Sequence, residues 1–319
     1  MSAGQTDIDV RVAARRRLAA GIVEFTLARP DGAPLPPYGA GAHIDVETPG
    51  EHRRSYSLCE PSDPAPDAYV IAVDRQDDGE GGSTSMHRDA TPGTALRVSS
   101  PTTAFTRQSS TRRSLLIAGG IGITAVRGLM HDLRAHRRPF TLLYLVRERA
   151  RAAYLDELAR TADASELIVH VTSENDGRRF DLWPLLKEPA TTELYCCGPA
   201  AMMREVKALT MHWRPSRLHF EDFQGISSVD PFGTAFTAVW GATGQEIAVD
   251  ASASLLDRLT EAGIGIPSSC RSGTCGTCRV RVLSGTPHHR DVVLRDDERE
   301  TQMISCVSRA EGRVVLDRV

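Results

Sequence analysis

The sequence lacks long apolar runs, and this absence limits where the protein works. None of its 319 residues lies in a run approaching the ~18 apolar residues that a membrane span needs. The N-terminal segment MSAGQTDIDVRVAARRR has no apolar core of the kind found in secretory signals. We therefore expect a cytoplasmic protein with no membrane partner.

An excess of one charge sign is also missing. The net charge is −3, which argues against nucleic acid as the main partner. The ten histidines are scattered, and neither an H-E-x-x-H motif nor a Ser–His–Asp arrangement can be recognised. The spacing of a 2-His-1-carboxylate iron site is also absent, so we expect no oxygen chemistry on this chain itself.

Cysteine is scarce, but its placement is informative. Three of the seven cysteines, Cys59, Cys196 and Cys197, belong to no ligand pattern. A reducing compartment suits such free thiols. The other four follow the pattern C-x₄-C-x₂-C-x₂₇-C: Cys270, Cys275, Cys278 and Cys306. This spacing is typical of the ligands of a plant-type [2Fe–2S] cluster, and Gly273 and Gly276 allow the tight turns that the loop needs. A zinc site or a disulfide pair is the alternative, but zinc sites usually repeat the cysteine pair or add histidine.

The hydrophobic pattern divides the chain into three predicted domains. Residues 1–108 contain short strands between Gly/Pro turns, which predicts an antiparallel β-barrel. Residues 109–223 alternate apolar strands with helices, which predicts a parallel α/β domain. Residues 224–233 form a linker, and residues 234–319 combine a hairpin, a helix, the cysteine loop and a final strand in a small α+β domain.

Two motifs in the first domain suit a flat, phosphorylated ligand. In Arg54-Ser55-Tyr56-Ser57, Arg54 and Tyr56 point to the same face of a strand, where a guanidinium could reach a phosphate and a ring could cover a ring. Gly81 and Gly82 lead through Ser83-Thr84-Ser85 into a short helix, whose first N–H groups could bind an anion. An ordinary surface strand and an ordinary helix cap are the alternatives.

Two motifs in the second domain suit a nucleotide. The first strand ends in the glycine-rich turn 119–122 and opens into a helix, the position that a dinucleotide pyrophosphate requires. The turn differs from G-x-G-x-x-G, so close helix–strand packing is the alternative. The fourth strand ends in Cys197-Gly198-Pro199, and we expect Cys197 to face the same crevice unless it is an inert buried thiol.

In this order, the motifs R-S-Y-S, G-G-S-T-S-M-H, G-G-I-G-I-T, C-G-P and the cysteine run closely resemble those of the phthalate dioxygenase reductase/vanillate O-demethylase reductase family. The likeness extends over essentially the whole chain. It implies an FMN-binding barrel, an NAD-binding α/β domain and a C-terminal plant-type ferredoxin domain with a β-grasp fold, within the ferredoxin–NADP reductase superfamily.

The resemblance also assigns residues. Those implied to bind FMN are Arg54, Tyr56, Ser57, Gly82, Ser83, Thr84 and Ser85. Those implied to bind the nucleotide are Gly120, Gly122, Thr124, Cys197 and Gly198. Those implied to surround the reacting rings are Ser57, Cys197, Glu221 and Phe223. Ala125 departs from the usual proline, a change we expect to matter little, and Cys196 has no explanation in the sequence.

The implied activity is electron transfer from NADH through FMN and the [2Fe–2S] cluster to the Rieske centre of a partner terminal oxygenase, by a monomer. Another acceptor, such as a cytochrome P450, or a non-enzymatic iron–sulfur sensor is the alternative. FMN is expected rather than FAD, because Tyr69 is the one aromatic residue between the flavin motifs that could stack an adenine. NADH is expected over NADPH, because the segment 172–176 carries Glu174 and Asp176, although Arg178 and Arg179 follow.

Overall fold

The computed structural model describes residues 7–60, 65–79, 81–103, 105–107, 113–161, 166–189, 192–223, 234–251, 253–268, 273, 276–291 and 293–319. The predicted linker, 224–233, lies outside these residues. Contacts divide the chain into two compact units, Met1–Glu221 and Asp222–Val319. The predicted limits of the three domains remain a prediction.

The first sheet is antiparallel and has seven strands. Its elements are β1 (Asp7–Ala19), β2 (Ile22–Ala28), β3 (Ala42–Glu47), β4 (Arg53–Ser57), β5 (Tyr69–Asp74), α1 (Gly82–Asp89), β6 (Ala95–Ser99) and β7 (Thr102–Thr103). The order is β4-β3-β6-β1-β2-β5, with β7 beside β3. Just after β4, the Cys59 amide donates to the Val70 carbonyl of β5 (2.9 Å), so the two ends of the order meet and the sheet forms a barrel.

The longest strand of this barrel, β1, is not predicted by the sequence pattern. Its first half alternates strictly, with Ile8, Val10 and Val12 buried and the residues between them exposed. Its second half is an exposed run containing Arg15, Arg16 and Arg17, which hides the alternation in the sequence. Pairing with both β2 and β6 holds this polar segment in the sheet despite its composition.

The second sheet is parallel, as predicted from the alternation of strands and helices. Its elements are β8 (Arg113–Gly119), α2 (Ile123–Ala135), β9 (Phe140–Val146), α3 (Leu155–Thr161), β10 (Leu167–Val171), α4 (Trp183–Leu186), β11 (Thr192–Cys197), α5 (Ala200–Leu209) and β12 (Leu218–Glu221). The strand order is β10-β9-β8-β11-β12, so β9 and β10 are added on one side of β8 and β11 and β12 on the other. A crevice at the carboxyl ends of such strands is where open α/β sheets bind ligands.

One hydrophobic cluster within the first unit spans the barrel and the parallel sheet, and the barrel also has a core of its own. Ile22, Cys59 and Ala72 of the barrel half belong to the same buried cluster as Ile123 and Val126 of α2. This continuity explains why contacts join both predicted domains in one unit.

The second unit has a mixed five-stranded sheet with the order β14-β13-β17-β15-β16. Its elements are β13 (Phe236–Trp240), β14 (Gln245–Val249), α6 (Leu255–Glu261), β15 (Arg279–His288), α7 (Asp296–Arg299), β16 (Gln302–Ile304) and β17 (Arg309–Asp317). The predicted hairpin is β13–β14, and β17 pairs parallel with β13. Leu255, Leu256 and Leu259 of α6 are buried in the core of this unit. The predicted fold class, with a barrel, a parallel α/β sheet and an α+β domain, is confirmed. None of the helices that the structure describes is long and apolar enough to cross a membrane.

Candidate functional site

Strand β4 presents alternating side chains on the surface of the barrel. Arg54 and Tyr56 are half-buried, whereas their neighbours Arg53 and Ser55 are exposed. Antiparallel pairing with β3 fixes this register, with Val46 opposite Arg54. Burial raises the pKa of Tyr56 to about 12, and the nearby charge of Arg54 opposes that shift. The guanidinium and the phenol ring therefore occupy one face.

Ser57 ends the same strand with a buried hydroxyl. Ser57 is only 4% exposed, and its Oγ has no hydrogen-bond partner in the part of the chain that the structure describes. A buried hydroxyl without a partner costs about 1–3 kcal/mol, so such an atom is rarely left without a purpose. It fits a polar ligand atom bound beside Tyr56.

The start of helix α1 lies against Arg54. A Cβ placed on Gly82 would be 2.8 Å from Cγ and 3.1 Å from Nε of Arg54, so only glycine fits there. The helix has no side-chain cap at its N-terminus, and its first turn contains no acidic residue. Arg54 and the first N–H groups of α1 thus form an anion-binding arrangement from two segments that are distant in the sequence.

The three hydroxyl residues at the start of this helix differ in how accessible their hydroxyl groups are to a ligand. Ser83 and Thr84 are half-buried, and Ser83 Oγ accepts a hydrogen bond from the Gln76 amide (3.0 Å). Ser85 is buried, and its Oγ donates to the Gly82 carbonyl (2.9 Å) and lies 3.1 Å from Thr48 Oγ1. Ser85 is therefore committed to the protein itself, and Ser83 and Thr84 are the more accessible hydroxyls.

His52 is a neighbour of this arrangement that the sequence analysis missed. Its Nε2 would lie 3.1 Å from a Cβ on Gly81, so the imidazole faces the turn that precedes α1. His52, Arg54 and Tyr56 are all half-buried, with exposed residues between them. The period of two could have identified His52, had the pattern been extended one step before the arginine.

The glycine-rich turn of the second sheet packs directly on the end of β11. A Cβ on Gly122 would lie 2.2 Å from the carbonyl oxygen of Cys197, and one on Gly119 would lie 2.6 Å from Cδ of Pro199. Gly120, in contrast, has no neighbour within 4 Å of its Cβ position, so it faces open space. The structure thus brings the predicted pyrophosphate turn and the Cys-Gly-Pro segment together, with room beside Gly120.

Two further predicted residues lie near this edge of the sheet. Glu221 pairs with Cys197 across β12 and β11, so it stands at the same carboxyl end, and it is half-buried. Thr124 is buried, and its hydroxyl donates to the Ile121 carbonyl (2.9 Å), which leaves it little freedom to reach a ligand. Phe223 is 42% exposed, and its place near the reacting rings remains a prediction.

The adjacent cysteines of β11 point to opposite faces of the sheet. Cys197 is buried with Ile123 and Ala125 of α2, whereas Cys196 is buried with the core on the other face. Burial raises the pKa of the Cys196 thiol to about 12, so this residue acts as a small apolar side chain. The doubled cysteine is thereby explained by packing. Ala125 is itself fully buried, and its replacement of proline leaves the helix intact.

The segment expected near the adenosine ribose contains an ion pair. Arg149 donates twice to Glu174 (2.7 and 2.6 Å), joining the residues that follow β9 to those that follow β10. This guanidinium holds the pKa of Glu174 below its usual range. The pair places a carboxylate and an arginine side by side, and its position beside the adenosine ribose remains a prediction.

In the second unit, Cys278 and Cys306 are both buried and lie on adjoining segments. The Ser305 amide and hydroxyl both bond to the Cys278 carbonyl, at 3.0 and 2.8 Å. Pairing of β15 with β16 places Arg279 opposite Ile304 and so holds the two cysteine segments together. The structure therefore brings together two cysteines separated by 27 residues in the sequence.

The predicted turns of the cysteine loop are present where the structure describes them. Gly273 and Gly276 have φ values of 73° and 74°, a conformation that favours glycine. A Cβ on Gly273 would lie 2.6 Å from Cγ2 of Val307, so the loop packs beside Cys306. Cys270 and Cys275 lie outside the described residues. Among the residues that the structure does describe, no group of metal-binding side chains is found. This arrangement fits a cluster held by the loop and by Cys306.

Comparison with known proteins follows the same division. Residues 116–208 match the oxidoreductase NAD-binding domain family, and residues 240–311 match the 2Fe-2S iron-sulfur cluster binding domain family. The chain is 40% identical to a phthalate dioxygenase reductase from Burkholderia cepacia, over 97% of this chain and 96% of the relative. It is 36% identical to a vanillate O-demethylase oxidoreductase from a Pseudomonas species, over 97% and 98%.

Solved structures of reductases and oxygenases resemble this chain over nearly its whole length. A phthalate dioxygenase reductase structure matches with a TM-score of 0.74 and 39% identity, covering 98% of both chains. An intact type IV self-sufficient cytochrome P450 monooxygenase matches with a TM-score of 0.81 and 33% identity, covering 97% of this chain and 41% of that one. The enzyme therefore uses a nicotinamide nucleotide and a [2Fe–2S] cluster, and the chain belongs to the phthalate dioxygenase reductase family.

Proposed function

We propose that this enzyme passes electrons from NADH through FMN and its [2Fe–2S] cluster to the Rieske centre of a partner terminal oxygenase. The partner belongs to an aromatic dioxygenase or O-demethylase system. The proposal includes a monomeric reductase that works in the cytoplasm. A bound flavin exchanges electrons in pairs with a nicotinamide and singly with an iron–sulfur cluster, which supplies the conversion between the two.

The barrel carries the observation on which the flavin assignment depends. Ser57 Oγ is buried without a partner at the end of the strand that holds Arg54 and Tyr56, and the start of α1 adjoins Arg54. Arg54 and the first turn of α1 would hold the phosphate, with Ser83 and Thr84 nearby. Tyr56 would lie against the ring system, and the Ser57 hydroxyl would donate to or accept from a polar atom of that ring.

FMN is favoured over FAD by the surroundings of Tyr69. This residue is fully buried in the barrel core, and its hydroxyl donates to the Pro36 carbonyl (2.7 Å). Its ring is therefore not available to stack an adenine. The sequence from Ser57 to Gly82 has no other aromatic residue. The AMP half of an FAD would therefore find no aromatic stacking surface in this part of the chain.

On the parallel sheet, the turn Gly120–Gly122 and the start of α2 are the proposed site of the pyrophosphate. The nicotinamide would then lie over Cys197 and Gly198, with Glu221 on the adjoining strand. These residues bind and orient the nucleotide and exclude water from the transfer. Hydride transfer needs the two reacting atoms held about 3–3.5 Å apart, so orientation is the main contribution of the protein.

The proposed cluster ligands are Cys270, Cys275, Cys278 and Cys306. The burial of Cys278 and Cys306 and the bonds from Ser305 to Cys278 support two of them. Plant-type clusters have potentials near about −400 mV and Rieske centres have higher ones, so the last transfer is favourable.

A second acceptor class is supported by one observation. This chain matches, over 97% of its length, 41% of the chain of an intact type IV self-sufficient cytochrome P450 monooxygenase. A cytochrome P450 as electron acceptor is therefore the second candidate. The relatives at 40% and 36% identity are named for dioxygenase and demethylase systems, which favours the Rieske-type partner.

Two measurements test the proposal. Flavin released by heat and separated by chromatography should be FMN, and FAD as the main species would contradict the flavin assignment. The protein should also couple NADH oxidation to product formation by a purified Rieske-type oxygenase, and should modify no organic substrate alone. Coupling to a P450 with none to the Rieske-type oxygenase would reverse the order of the two candidates.

A further inference from the structure

Arg127 is a buried cation that joins the nucleotide helix to the flavin strand. Its side chain is 8% exposed, and it lies on the second turn of α2, five residues after Gly122. Nη1 donates to the carbonyl of Cys59 (2.7 Å) and to Oε1 of Glu60 (2.6 Å). Cys59 follows two residues after Ser57, so one guanidinium connects the two proposed binding segments.

The same side chain is fixed on its other side by the parallel-sheet half. Nη2 donates to Oε2 of Glu157 (3.3 Å), and the guanidinium lies over the ring of Tyr154, 4.5 Å from its centroid. Both partners belong to the segment around α3. Arg127 therefore contacts the barrel and the α3 segment of the α/β half at once, which leaves it little rotational freedom.

A second set of bonds closes this contact into a ring. Arg16 of β1 donates to Glu157 (2.8 Å) and, through two nitrogens, to Glu24 of β2 (2.9 and 3.0 Å). The Tyr154 hydroxyl donates to the same Glu24 (2.8 Å). Arg127, Glu157, Arg16, Glu24 and Tyr154 thus form a closed network that crosses between barrel and α/β half. A network with several fixed members holds a geometry better than one ion pair does.

Backbone packing beside Arg127 is equally close. A Cβ on Gly128 would lie 3.4 Å from the amide nitrogen of Gly41 and 3.6 Å from the carbonyl oxygen of Leu58. Helix α2 therefore contacts the barrel through backbone at this point, immediately beside the guanidinium. Arg127 thus lies where α2 and the barrel are in closest contact, four residues after the start of the helix.

We propose that Arg127 is a positioning residue that sets the distance between the nicotinamide on α2 and the flavin on β4. The inference rests on the proposed function, since it needs both rings to bind where that function places them. Each ring is held by a different half of the unit, and Arg127 touches neither. A misplacement of about 1 Å can cost about 100-fold in rate, so a residue that fixes the two halves controls the reaction from a distance.

Arg134 provides a matched control on the same helix. It is partly buried, donates to Glu166 (2.9 Å) and lies over the ring of Phe140 at 5.4 Å, but these partners all belong to the α/β half. Arg127→Met and Arg134→Met each remove one stacked, ion-paired arginine from α2. Only the first removes a bond to the barrel.

The decisive measurement is the long-wavelength charge-transfer absorbance that forms when NADH or NAD⁺ stacks on the flavin of the holoenzyme. We expect Arg127→Met to keep its flavin and cluster but to lose most of this absorbance. Hydride transfer in a stopped-flow experiment should fall about 100-fold, with a smaller change in KM. The isotope effect with 4-deuterated NADH should become more temperature-dependent. Arg134→Met should match the unmodified enzyme in all three measurements, and Arg127→Lys should recover part of the loss.

Two outcomes would overturn the inference. One is charge-transfer absorbance and a hydride rate in Arg127→Met within twofold of those in Arg134→Met. The other is an equal loss in both variants, which would indicate a general effect on α2. If Arg127→Met does not fold, Glu60→Gln weakens the same bridge from its exposed side, and an unchanged absorbance in that variant would also refute the role. An unmodified protein without flavin, or one that NADH does not reduce, would instead refute the proposed function.

Discussion

The first unit builds its candidate sites from distant segments, whereas the second builds most of its site from one loop. Arg54 meets Gly82, and Gly122 meets Cys197, only because the sheets bring them together. In the second unit, three of the four proposed ligands stand within nine residues, 270–278. A local site leaves its full pattern in the sequence. An assembled site leaves several short patterns, each of which also has an ordinary structural explanation.

This difference predicts two kinds of mutational effect. A substitution at a cluster ligand in the second unit should abolish electron transfer through the cluster and leave the flavin reaction intact. A substitution in the first unit should slow the reaction by an amount that increases with the tightness of the packing it disturbs.

The largest effect is expected for Cys306→Ser. Loss of one of four thiolates should remove the iron and the sulfide, and NADH-driven reduction of cytochrome c should fall to background, because the cluster is the exit for single electrons. Reduction of the flavin by NADH should continue. Iron analysis and stopped-flow absorbance measure both. Cys196→Ala, another buried cysteine, should keep its cluster; loss of the cluster there with retention in Cys306→Ser would contradict the ligand assignment.

Gly122→Ala should have the next largest effect. The new Cβ would lie 2.2 Å from the Cys197 carbonyl oxygen, so the turn or the end of β11 must move. We expect kcat/KM for NADH to fall roughly 100-fold and unfolding to become easier by about 1–3 kcal/mol. Steady-state kinetics and thermal unfolding measure these effects. Gly265→Ala meets nothing within 4 Å and should change neither, and equal behaviour of the two variants would show that the contact is unimportant.

Ser57→Ala should separate binding chemistry from stability. Since Ser57 Oγ has no partner within the described chain, its removal should leave the thermal stability of the flavin-free protein unchanged or slightly higher. Hydride transfer in the holoenzyme should slow about tenfold, the equivalent of one hydrogen bond of ~1.5 kcal/mol. A clear loss of stability with an unchanged hydride rate would assign this hydroxyl to the fold instead.

The smallest effect is expected for Glu174→Ala, at the rim of the nucleotide site. Removal of the carboxylate releases Arg149, which is exposed and can then meet a 2′-phosphate. We expect kcat/KM for NADPH to rise about fivefold, in line with a surface ion pair of up to ~1 kcal/mol, and kcat/KM for NADH to fall. An unchanged ratio of the two would place the ribose elsewhere.

The sequence predicted most of the fold because its pattern is regular where strands are buried. All five strands of the parallel sheet were recognised from apolar runs, and the hairpin 236–249 from its glycine-containing turn. Strand β1 was missed because its arginines hide the alternation, and β15 because its middle, from Leu283 to Thr286, is exposed. Both strands are held by their neighbours rather than by their own composition.

The candidate sites were predictable in their motifs but not in their contacts. Ser83 and Thr84 are more accessible to a ligand than Ser85, because the Ser85 hydroxyl bonds to the Gly82 carbonyl. The spacing of residues in the sequence does not reveal this bond. Arg127 lies in a helix among apolar residues, and no motif marks it in the sequence. Its partners at Cys59 and Glu60 are nearly 70 residues away in the chain. Such long-range contacts arise from the packing of two sheets on one core.

The central claim is that flavin is the obligatory step between NADH and the cluster. It is tested most directly by stripping the flavin from protein with an intact cluster, mixing it anaerobically with NADH, and following the cluster absorbance before and after FMN is restored. The account predicts no bleaching of the cluster without flavin and full bleaching once FMN is added. Reduction of the cluster by NADH at an undiminished rate in the flavin-free protein would contradict it.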